Sequence, residues 1–439
     1  MAPEQLVAEF EAELPYALDP FQRDAIDALA RQHSVLVAAP TGTGKTVIGE
    51  FGIFAARRKG LKAIYTTPIK ALSNQKFRDF RARWGDDEVG LLTGDIAVNR
   101  DAPVLVMTTE VLRNMLVTGA RVDDVGSIVF DEVHYMGDPE RGTAWEESIL
   151  LAPRHVPLVC LSATVPNVAE IAEWLREAHG DLSCVFHDHR AVPLEHRYWV
   201  PDPDPDKHAF RVVTAMDADG RLAPAAARLR NLGGELAGRV RWGGATSQGF
   251  RGEDRSPGAN GQPREVPSPW RVVRYLEAEE LTPAIYFLFS RRATEEAADS
   301  CLALRPVAHA AELLAEARAR LADLSPEDRN MRQVAMLLGR FLPRGVAVHH
   351  AGLLPQVKLL VEELFQAGKL RAVFATDTLA LGINMPARTV VIGEMLKFDG
   401  QSRRLLTPNE YRQMTGRAGR RGIDERGVSL LLYSPWVSA

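Results

Sequence analysis

The sequence predicts an α/β protein with two domains, each built on a parallel β-sheet. Three observations support this prediction. Short apolar segments rich in β-branched residues alternate with segments whose apolar residues recur at helical spacing. The alternation breaks once, near the middle of the chain, and then resumes. Continuous apolar strands separated by helices are typical of a parallel sheet covered on both faces, and 439 residues suffice for two or three domains.

The first domain is predicted over residues 1–193. Its apolar segments, such as SVLVAA and VLVMTT, have the length of buried strands. The segment after the second strand carries apolar residues at helical spacing and predicts a helix over 68–84. The predicted strands are, in order, 34–39, 62–67, 104–109, 127–130 and 157–164.

A connecting segment is predicted over 194–275. Between about 232 and 270 it is rich in Gly, Pro, Ser and Arg, and few of these residues could pack a core, which predicts a flexible insertion. Residues 221–275 contain ten Arg against four Asp or Glu, so the segment could also help to hold nucleic acid; a solvated linker fits the composition better.

The second domain is predicted over 276–439, where the alternation resumes. The segment AAELLAEARARLADL predicts a helix over 310–324. The dipeptide Asp399-Gly400, placed between two short runs, is a strong signal for a β-hairpin. The predicted strands of the sheet are 284–290, 345–350, 371–376 and 389–392.

Composition indicates a soluble intracellular protein. The net charge of −4 neither requires nor excludes a nucleic-acid partner, because a basic groove can be balanced by acidic residues elsewhere. Cys160, Cys184 and Cys301 form no CxxC pair, which argues against a zinc site or a disulfide framework. This cysteine content predicts that the protein is located in the reducing cytoplasm. The amino terminus lacks the pattern of a signal peptide, and no apolar run approaches the roughly 18 residues needed to cross a bilayer.

A glycine-rich loop follows the first predicted strand and precedes a helix that we expect to begin near Lys45. Glycines at 42 and 44 let backbone N–H groups approach phosphate oxygens, and the helix N-terminus adds its positive dipole. Lys45 can reach the β- and γ-phosphates, and the Thr46 hydroxyl suits Mg²⁺. The general phosphate-loop motif has Gly at the position that Ala39 occupies here, so a chance match to that motif is still an alternative. The loop comprises Ala39, Pro40, Thr41, Gly42, Thr43, Gly44, Lys45 and Thr46.

Two carboxylates, Asp131 and Glu132, come directly after the strand 127–130. Burying unpaired charge is costly, so such residues usually meet a partner at the strand end. The alternative is a solvated acidic turn. With the phosphate loop present, Asp131 is predicted to hold Mg²⁺ and Glu132 to act as the base that activates water. Together the two signals predict hydrolysis of a nucleoside triphosphate.

The order of motifs resembles the superfamily-two helicases. The first-half motifs are APTGTGKT, TTPIKALSNQKFRDF, LLTGD, TTEVLRNML, DEVHYMGDPERG and LSAT; those of the second half are GVAVHHAGLLP, ATDTLALGINMPA and QMTGRAGRRG. The details are most similar to the superkiller-like, exosome-associated DExH branch, especially its bacterial members. This resemblance spans about residues 16–427. It implies two tandem RecA-like domains with an ATP cleft between them and an ATP-dependent helicase or translocase, on RNA in preference to DNA, running 3′ to 5′.

The resemblance also assigns residues around the nucleotide. Tyr16 would stack on adenine and Gln22 would recognise its edge. Arg417 and Arg420, three residues apart and expected on one face of a helix, would stabilise charge on the γ-phosphate. Ser162 and Thr164 would link the state of ATP to domain closure, with capping of a strand end as the alternative. His134 would be a partner across the cleft, or equally a polar group with an ordinary structural role. Further nucleotide contacts are implied for Gly382, Asn384 and Gln413.

Backbone-contacting motifs of the family predict a sequence-independent grip on single-stranded RNA, with DNA also possible. In the predicted hairpin, Phe398 would stack on the last base pair, and Lys397, Arg403 and Arg404 would attract phosphate; a plain surface hairpin is the alternative. The predicted nucleic-acid contacts, expected on the faces of the two sheets opposite the nucleotide, are Pro68, Lys70, Thr93, Gly94, Thr108, Thr109, Thr376, Thr378 and Phe398.

Two other functions stay open at this point, a DNA helicase or translocase in repair and a nucleic-acid-binding clamp with weak ATPase activity. Family members continue after the last motif into a winged helix and a helical bundle, whereas this sequence ends at Ala439. We expect ATP hydrolysis to survive without those parts. The resemblance also implies the RNA-degradation machinery as a partner.

Overall fold

The computed structural model describes residues 2–120, 122–138, 141–201, 210–217, 221, 223, 267–329, 331–377, 379, 385–398 and 402–432. The chain forms two compact units, Met1–Ala191 and Val192–Ala439. Each unit contains one large, mainly parallel sheet, which confirms the predicted fold class. The predicted insertion around 232–270 lies almost entirely outside the described residues.

The first unit has an eight-stranded sheet in the order β4-β3-β5-β2-β6-β7-β1-β8. Its neighbouring strands are parallel except for the antiparallel pair β3 and β4. All five strands predicted for this half are present. The strands are β1 (Ser34–Ala38), β2 (Lys62–Thr67), β3 (Val89–Leu92), β4 (Ala97–Val98), β5 (Val104–Thr108), β6 (Val125–Phe130), β7 (Leu158–Ser162) and β8 (Leu182–Phe186).

Helices cover both faces of this sheet, which explains why its strands are continuously apolar. In β1, Val35 and Val37 pack on the helices α1 to α4, whereas Leu36 between them packs on α5 to α7. The helix over 68–84 is confirmed as α4. The helices are α1 (Pro3–Ala12), α2 (Pro20–Ala30), α3 (Thr46–Arg58), α4 (Lys70–Trp84), α5 (Thr109–Val117), α6 (Gly142–Leu151) and α7 (Val168–His179), with a 3-10 turn at Val133–Gly137.

The second unit has a seven-stranded sheet in the order β10-β9-β17-β14-β11-β13-β12. All its pairs are parallel except β9 with β10. The four predicted strands are confirmed as β11 to β14. The strands are β9 (Leu194–Pro201), β10 (Phe210–Met216), β11 (Ala284–Phe287), β12 (Val346–His349), β13 (Ala372–Ala375), β14 (Thr389–Ile392) and β17 (Gly427–Leu432).

The strands β9 and β10 belong to this sheet although the sequence predicted only a connection there. The segment LEHRYWVP mixes charged and apolar residues, so it lacks the continuous apolar pattern of the other parallel strands. Its place is fixed by pairing with β17, a strand more than 200 residues away in the sequence, which local pattern does not reveal.

The predicted hairpin is also present, as β15 (Leu396–Phe398) and β16 (Arg403–Leu405), which pair antiparallel outside the main sheet. Its turn residues Asp399 and Gly400 lie outside the described part of the chain. The helix predicted over 310–324 is confirmed, ending at Arg320. The remaining helices of the described residues are Pro269–Ala278, Arg291–Ser300, Ala310–Arg320, Pro326–Arg329, Arg332–Met336, Pro355–Gln366 and Pro408–Thr415, with short helical turns at Cys301–Ala303, Leu337–Phe341 and Leu342–Arg344.

Among the helices of the described ranges, none is both long enough and apolar enough to cross a bilayer.

Candidate nucleotide site and nucleic-acid interface

The strand order of the first unit gathers the predicted residues at one edge of its sheet. Strands β6, β7 and β1 are neighbours, and their carboxyl ends carry the acidic pair, the LSAT segment and the phosphate loop. Strands β3, β5 and β2 are likewise neighbours, and the predicted nucleic-acid contacts of this unit follow or end them. These contacts lie at the same edge of the sheet as the nucleotide motifs, so the expectation that they come from the opposite face is wrong for this unit. Carboxyl ends of parallel strands are the usual place for ligands in such sheets.

The phosphate loop leaves β1 and enters α3 at Thr46. Gly42 and Gly44 have φ angles of +83° and +81°, a conformation that glycine adopts without strain. The Lys45 ammonium folds back over the loop and donates to the carbonyls of Ala39 and Pro40 at 2.6 and 3.0 Å. The helix N-terminus and the lysine thus place positive charge around the loop, the arrangement that binds phosphate.

Gln22 holds this loop in place through hydrogen bonds from its side chain. Its side chain is 2% exposed, and its amide nitrogen donates to the carbonyls of Thr43 and Gly44, each at 3.1 Å. Its amide oxygen accepts the N–H of Asp19 at 2.8 Å. Both donors of the amide are therefore used by the loop, whereas the resemblance had implied that they recognise adenine. Tyr16 is 53% exposed and lies six residues before Gln22.

The acidic pair stands where β6 ends. Asp131 accepts hydrogen bonds from the hydroxyl of the fully buried Tyr65 at 2.7 Å and from the N–H of Glu132 at 3.0 Å. Burial and the neighbouring Glu132 carboxylate raise the pKa of Asp131. Glu132 has φ +55°, in the left-handed region that non-glycine residues enter at a cost of about 1–3 kcal/mol. Such strain is concentrated at functional sites.

His134 joins the acidic motif to the LSAT segment. Burial, partly offset by Glu132, lowers the pKa of His134, so the imidazole is neutral near pH 7. Its Nδ1 accepts the N–H of Ala163 at 3.3 Å, and the 3.4 Å approach of the Glu132 carboxylate to the same atom is therefore not an ion pair. The Ser162 carbonyl in turn accepts the N–H of Ala39 at 3.2 Å, at the start of the phosphate loop.

Two residues of this site were missed by the sequence analysis. One is Tyr65, which holds Asp131. The other is Lys76 on α4, whose ammonium donates to the Thr46 hydroxyl at 3.1 Å and lies 5.8 Å from the centre of the Tyr65 ring. Tyr65 lies inside a buried strand, and Lys76 lies in a motif associated with nucleic acid, so no local signal indicated that either residue is part of the nucleotide site.

The donor set at this edge fits Mg²⁺. A hydroxyl at Thr46 and a carboxylate at Asp131 are oxygen ligands, and Mg²⁺ typically uses one or two protein oxygens together with phosphates and water. Within the described residues, no group of three or more His, Cys, Asp or Glu could hold a metal ion by itself. The set therefore suits a metal that arrives with a nucleotide.

The predicted nucleic-acid contacts Lys70, Thr93 and Gly94 lie together. Lys70 is exposed and forms an ion pair with Asp95 at 2.9 Å, and the Thr93 hydroxyl donates to the same carboxylate at 3.0 Å. A Cβ added to Gly94 would lie 3.9 Å from the Lys70 ammonium. The hydrogen bonds from Lys70 and Thr93 lower the pKa of Asp95, so this carboxylate is ionised at neutral pH.

Pro68, Thr108 and Thr109 stand at the ends of β2 and β5 and are buried. The Thr109 hydroxyl donates to the Thr67 carbonyl at 3.4 Å, which gives that side chain a structural role. The first backbone N–H groups of α5, which begins at Thr109, are the groups that such a helix offers to a phosphate.

In the second unit, the prediction that Arg417 and Arg420 share one face of a helix is wrong. The helix Pro408–Thr415 carries Gln413 and ends before them. The chain then turns to pair with Ala387, which donates to the Arg417 carbonyl at 2.8 Å and accepts the N–H of Gly419 at 2.7 Å. Gly419 has φ +89°, so the helix could not have continued through it.

Asp424 is a further residue that the sequence analysis missed. It is 1% exposed and accepts three hydrogen bonds from Arg420, from its backbone N–H, Nε and Nη2, at 2.9, 2.9 and 2.8 Å. Thr376, after β13, is 7% exposed. Thr378, Gly382 and Asn384 lie outside the described residues.

Family models match both units. The DEAD/DEAH box helicase model matches residues 19–171, and the helicase conserved C-terminal domain matches residues 324–422. The chain belongs to the superfamily-two DExH-box helicases. This confirms the predicted family, and with it the two tandem RecA-like domains of the fold class.

Three relatives place this helicase near the superkiller-like branch. It is 45% identical over 442 residues to the probable helicase HelY of Mycobacterium tuberculosis, across 98% of the chain and 47% of that protein. It is 39% identical over 436 residues to the exosome RNA helicase MTR4 of Homo sapiens, across 98% of the chain and 40% of that protein. It is 39% identical over 464 residues to the antiviral helicase SKI2 of Saccharomyces cerevisiae, across 95% of the chain and 35% of that protein. The chain thus spans less than half the length of these relatives.

The hairpin of this helicase presents two different faces. Phe398 is 62% exposed, and Arg403, its partner across the ladder, is exposed with it. Lys397 and Arg404 alternate with these residues and face the other way, toward Glu410. Of the three cations predicted to attract phosphate, Arg403 therefore shares the face of Phe398, and the other two are held in ion pairs.

Proposed function

We propose that the chain is the motor portion of an ATP-dependent RNA helicase that moves 3′ to 5′ along a single strand. The observation that carries the proposal is that the Lys45 loop and the pair Asp131 and Glu132 stand at the same edge of one sheet, at the ends of β1 and β6, with only β7 between these strands. The family match supports use of ATP. Similarity to relatives such as the exosome RNA helicase MTR4 supports RNA as the substrate.

For hydrolysis, we assign binding of the β- and γ-phosphates to Lys45, which exchanges the Ala39 and Pro40 carbonyls for phosphate oxygens. Glu132 accepts the proton of the attacking water, because its carboxylate is partly exposed at the strand end and its neighbour Asp131 is tied to Tyr65. Thr46 and Asp131 would hold Mg²⁺, which neutralises charge on the phosphates when bound.

The remaining nucleotide contacts follow the family pattern as proposals. Tyr16 stacks on adenine, and Arg417 and Arg420 stabilise charge that develops on the γ-phosphate. Arg420 must then share its guanidinium with Asp424 or release it. Gly382, Asn384 and Gln413 complete the proposed nucleotide contacts, whereas Gln22 acts through the phosphate loop that it holds.

Nucleic acid is proposed to lie across the ends of β2, β3 and β5. Lys70 supplies charge there, and small hydroxyls and helix N–H groups around Thr93, Gly94 and Thr108 contact phosphate and sugar. Such groups do not distinguish bases, so binding is independent of sequence. Thr376 and Thr378 are assigned the same role in the second unit, and Phe398 is assigned to the duplex end.

For the cellular setting, we propose the cytoplasm and the RNA-degradation machinery. The name of the human relative associates it with the exosome. The three cysteines of this chain are free thiols, as a reducing compartment requires.

The test is steady-state ATP turnover titrated with single-stranded RNA and single-stranded DNA of matched length. We expect stimulation by both, greater with RNA, and loss of turnover in Lys45→Ala. Greater stimulation by DNA would replace the RNA assignment with a DNA motor. Absence of turnover with either strand, in a protein that still binds nucleotide, would leave only a nucleic-acid-binding clamp.

A further inference from the structure

The hairpin contains an unfavourable pair of charges. Lys397 and Arg404 are directly opposite each other in the β15–β16 ladder. Like charges at such a position repel, and cross-strand neighbours lie only about 4.5–5.5 Å apart at Cβ. A two-stranded hairpin with strands of three residues is also marginal by itself in water. An outside group must therefore stabilise it.

Glu410 is that group. One of its carboxylate oxygens accepts the Lys397 ammonium at 3.1 Å and the Arg404 Nη2 at 2.9 Å, and the other accepts the Arg404 Nη1 at 2.7 Å. Its side chain is 22% exposed. Although burial acts to raise it, these hydrogen bonds and that of the Thr407 N–H lower the pKa of Glu410 to about 2. The carboxylate is therefore ionised whenever the hairpin is in place.

Glu410 also belongs to the helix that carries Gln413. It stands in the first turn of Pro408–Thr415, where it accepts the N–H of Thr407 at 2.8 Å and donates its own N–H to the Thr407 hydroxyl at 3.2 Å. This reciprocal pair is a capping box. One side chain thus fixes the start of the helix and the base of the hairpin.

A second carboxylate completes the cluster. Asp377, which follows β13 in the same segment as Thr376 and Thr378, forms an ion pair with Lys397. Lys397 and Arg404 are therefore matched by Asp377 and Glu410, one from the segment after β13 and one from the helix. The opposite face of the hairpin, with Phe398 and Arg403, is left for other contacts.

We propose that Glu410 is a positioning residue that makes the hairpin move as one piece with the helix Pro408–Thr415, so that displacement of the Gln413 helix during ATP turnover is passed to Phe398. The proposal rests on the proposed function of the hairpin at the duplex end. It predicts that the charge of Glu410, separate from its role in the capping box, couples ATP turnover to strand separation.

The substitution Glu410→Gln isolates this charge. Glutamine is the other residue that completes a capping box, so the helix start is retained while the ion pairs with Lys397 and Arg404 are lost. Glu410→Ala removes both. Glu363→Gln is the matched control, because it removes another carboxylate of the second unit, one that pairs with Arg320 on the surface.

Two measurements are made on the full chain. Amide hydrogen exchange followed by mass spectrometry reports the hairpin peptides directly. We expect exchange over Leu396–Leu405 about tenfold faster in Glu410→Gln and in Glu410→Ala, as the loss of charge-assisted hydrogen bonds predicts, and no change in Glu363→Gln. Duplex unwinding per ATP hydrolysed should fall about five- to tenfold in Glu410→Gln, while RNA-stimulated ATP turnover stays within about twofold.

Each outcome is decisive. Unchanged amide hydrogen exchange of the hairpin in Glu410→Gln overturns the proposal. If exchange is faster in Glu410→Ala alone, the capping box and not the charge of Glu410 stabilises the hairpin, which also overturns it. Faster exchange with undiminished unwinding per ATP also overturns it. A variant lacking residues 396–404 tests the proposed function separately. If that deletion leaves unwinding intact, the hairpin is not the strand separator, whereas loss of unwinding there but not in Glu410→Gln refutes only the coupling.

Discussion

Gln22 provides the sharpest test of how this helicase holds its phosphate loop. Its amide nitrogen donates to the carbonyls of Thr43 and Gly44, and Thr43 itself is 2% exposed. In Gln22→Ala both carbonyls lose these donors, and the loop must be ordered by the nucleotide instead. We therefore expect weaker nucleotide binding with little change in the fold.

The magnitude follows from the two hydrogen bonds. Each contributes about 0.5–1.5 kcal/mol net, which gives about 1–3 kcal/mol for the pair. At 1.4 kcal/mol for each factor of ten, nucleotide affinity should fall about 5- to 140-fold. Gln22→Glu should be worse than Gln22→Ala, because its ionised carboxylate faces two carbonyl oxygens and has no hydrogen to donate.

The assay is equilibrium binding of a fluorescent ADP analogue, with thermal denaturation as a check on folding. Gln5→Ala, at an exposed position on α1, is the matched control and should bind like the wild type. Affinity within about twofold of wild type in both Gln22 variants would refute the reasoning, since the loop would then be held by other contacts, such as the 2.8 Å bond from the Thr43 hydroxyl to Pro40.

Four further predictions can be tested together. Glu132→Gln should keep nucleotide binding but lower phosphate release in a steady-state assay by about 10²–10⁴-fold, the usual contribution of a general base. Gly52→Ala should lower the free energy of unfolding in urea by about 1–3 kcal/mol, because its Cβ would lie 2.8 Å from the Ser127 hydroxyl and crowd α3 against the sheet. Phe398→Ala, at a 62% exposed position, should change that free energy by less than about 0.5 kcal/mol while reducing duplex unwinding. The pKa of Glu410, about 2 against an ordinary value of 4.5, means that its stabilising effect is complete above pH 4.5 and disappears as the pH falls toward 2; acid titration of Glu410→Gln should lack that component.

Each of these has its own check. Near-normal phosphate release in Glu132→Gln would remove that residue from the chemistry. Gly339→Ala, where an added Cβ meets nothing within 4 Å, is the control for Gly52→Ala, and equal destabilisation of the two would contradict the packing argument. Unimpaired unwinding in Phe398→Ala would leave the hairpin without a stacking role, and identical acid profiles for wild type and Glu410→Gln would contradict the ion-pair cluster.

Much of the fold was predictable because its signals are local. A strand such as β1 is buried at every position, and apolar after Ser34, since α1 to α4 pack on one side of the sheet and α5 to α7 on the other. The phosphate loop is recognisable from the glycines at 42 and 44 and the lysine at 45, which are close together in the sequence. The acidic pair at 131 and 132 is equally local. These features need no knowledge of what lies across the sheet.

The partners of those residues were not predictable. Tyr65 reaches Asp131 only because β2 lies beside β6, and Lys76 reaches Thr46 only because α4 packs near the start of α3. The same limit applies to β9, which lies between β10 and β17 and whose place is set by pairing with a distant segment. It also applies to the helix end at Thr415, where the chain turns to pair with Ala387.

By itself, the sequence determined which helicase motifs are present and in what order, because each motif is a short stretch of characteristic composition. Only the tertiary structure decided what holds those residues: Gln22 under the phosphate loop, Asp424 beside Arg420, and Glu410 between two like charges of a hairpin. The physical reason is that hydrogen bonds and ion pairs act over a few ångströms in space, and strand order sets which distant residues come that close.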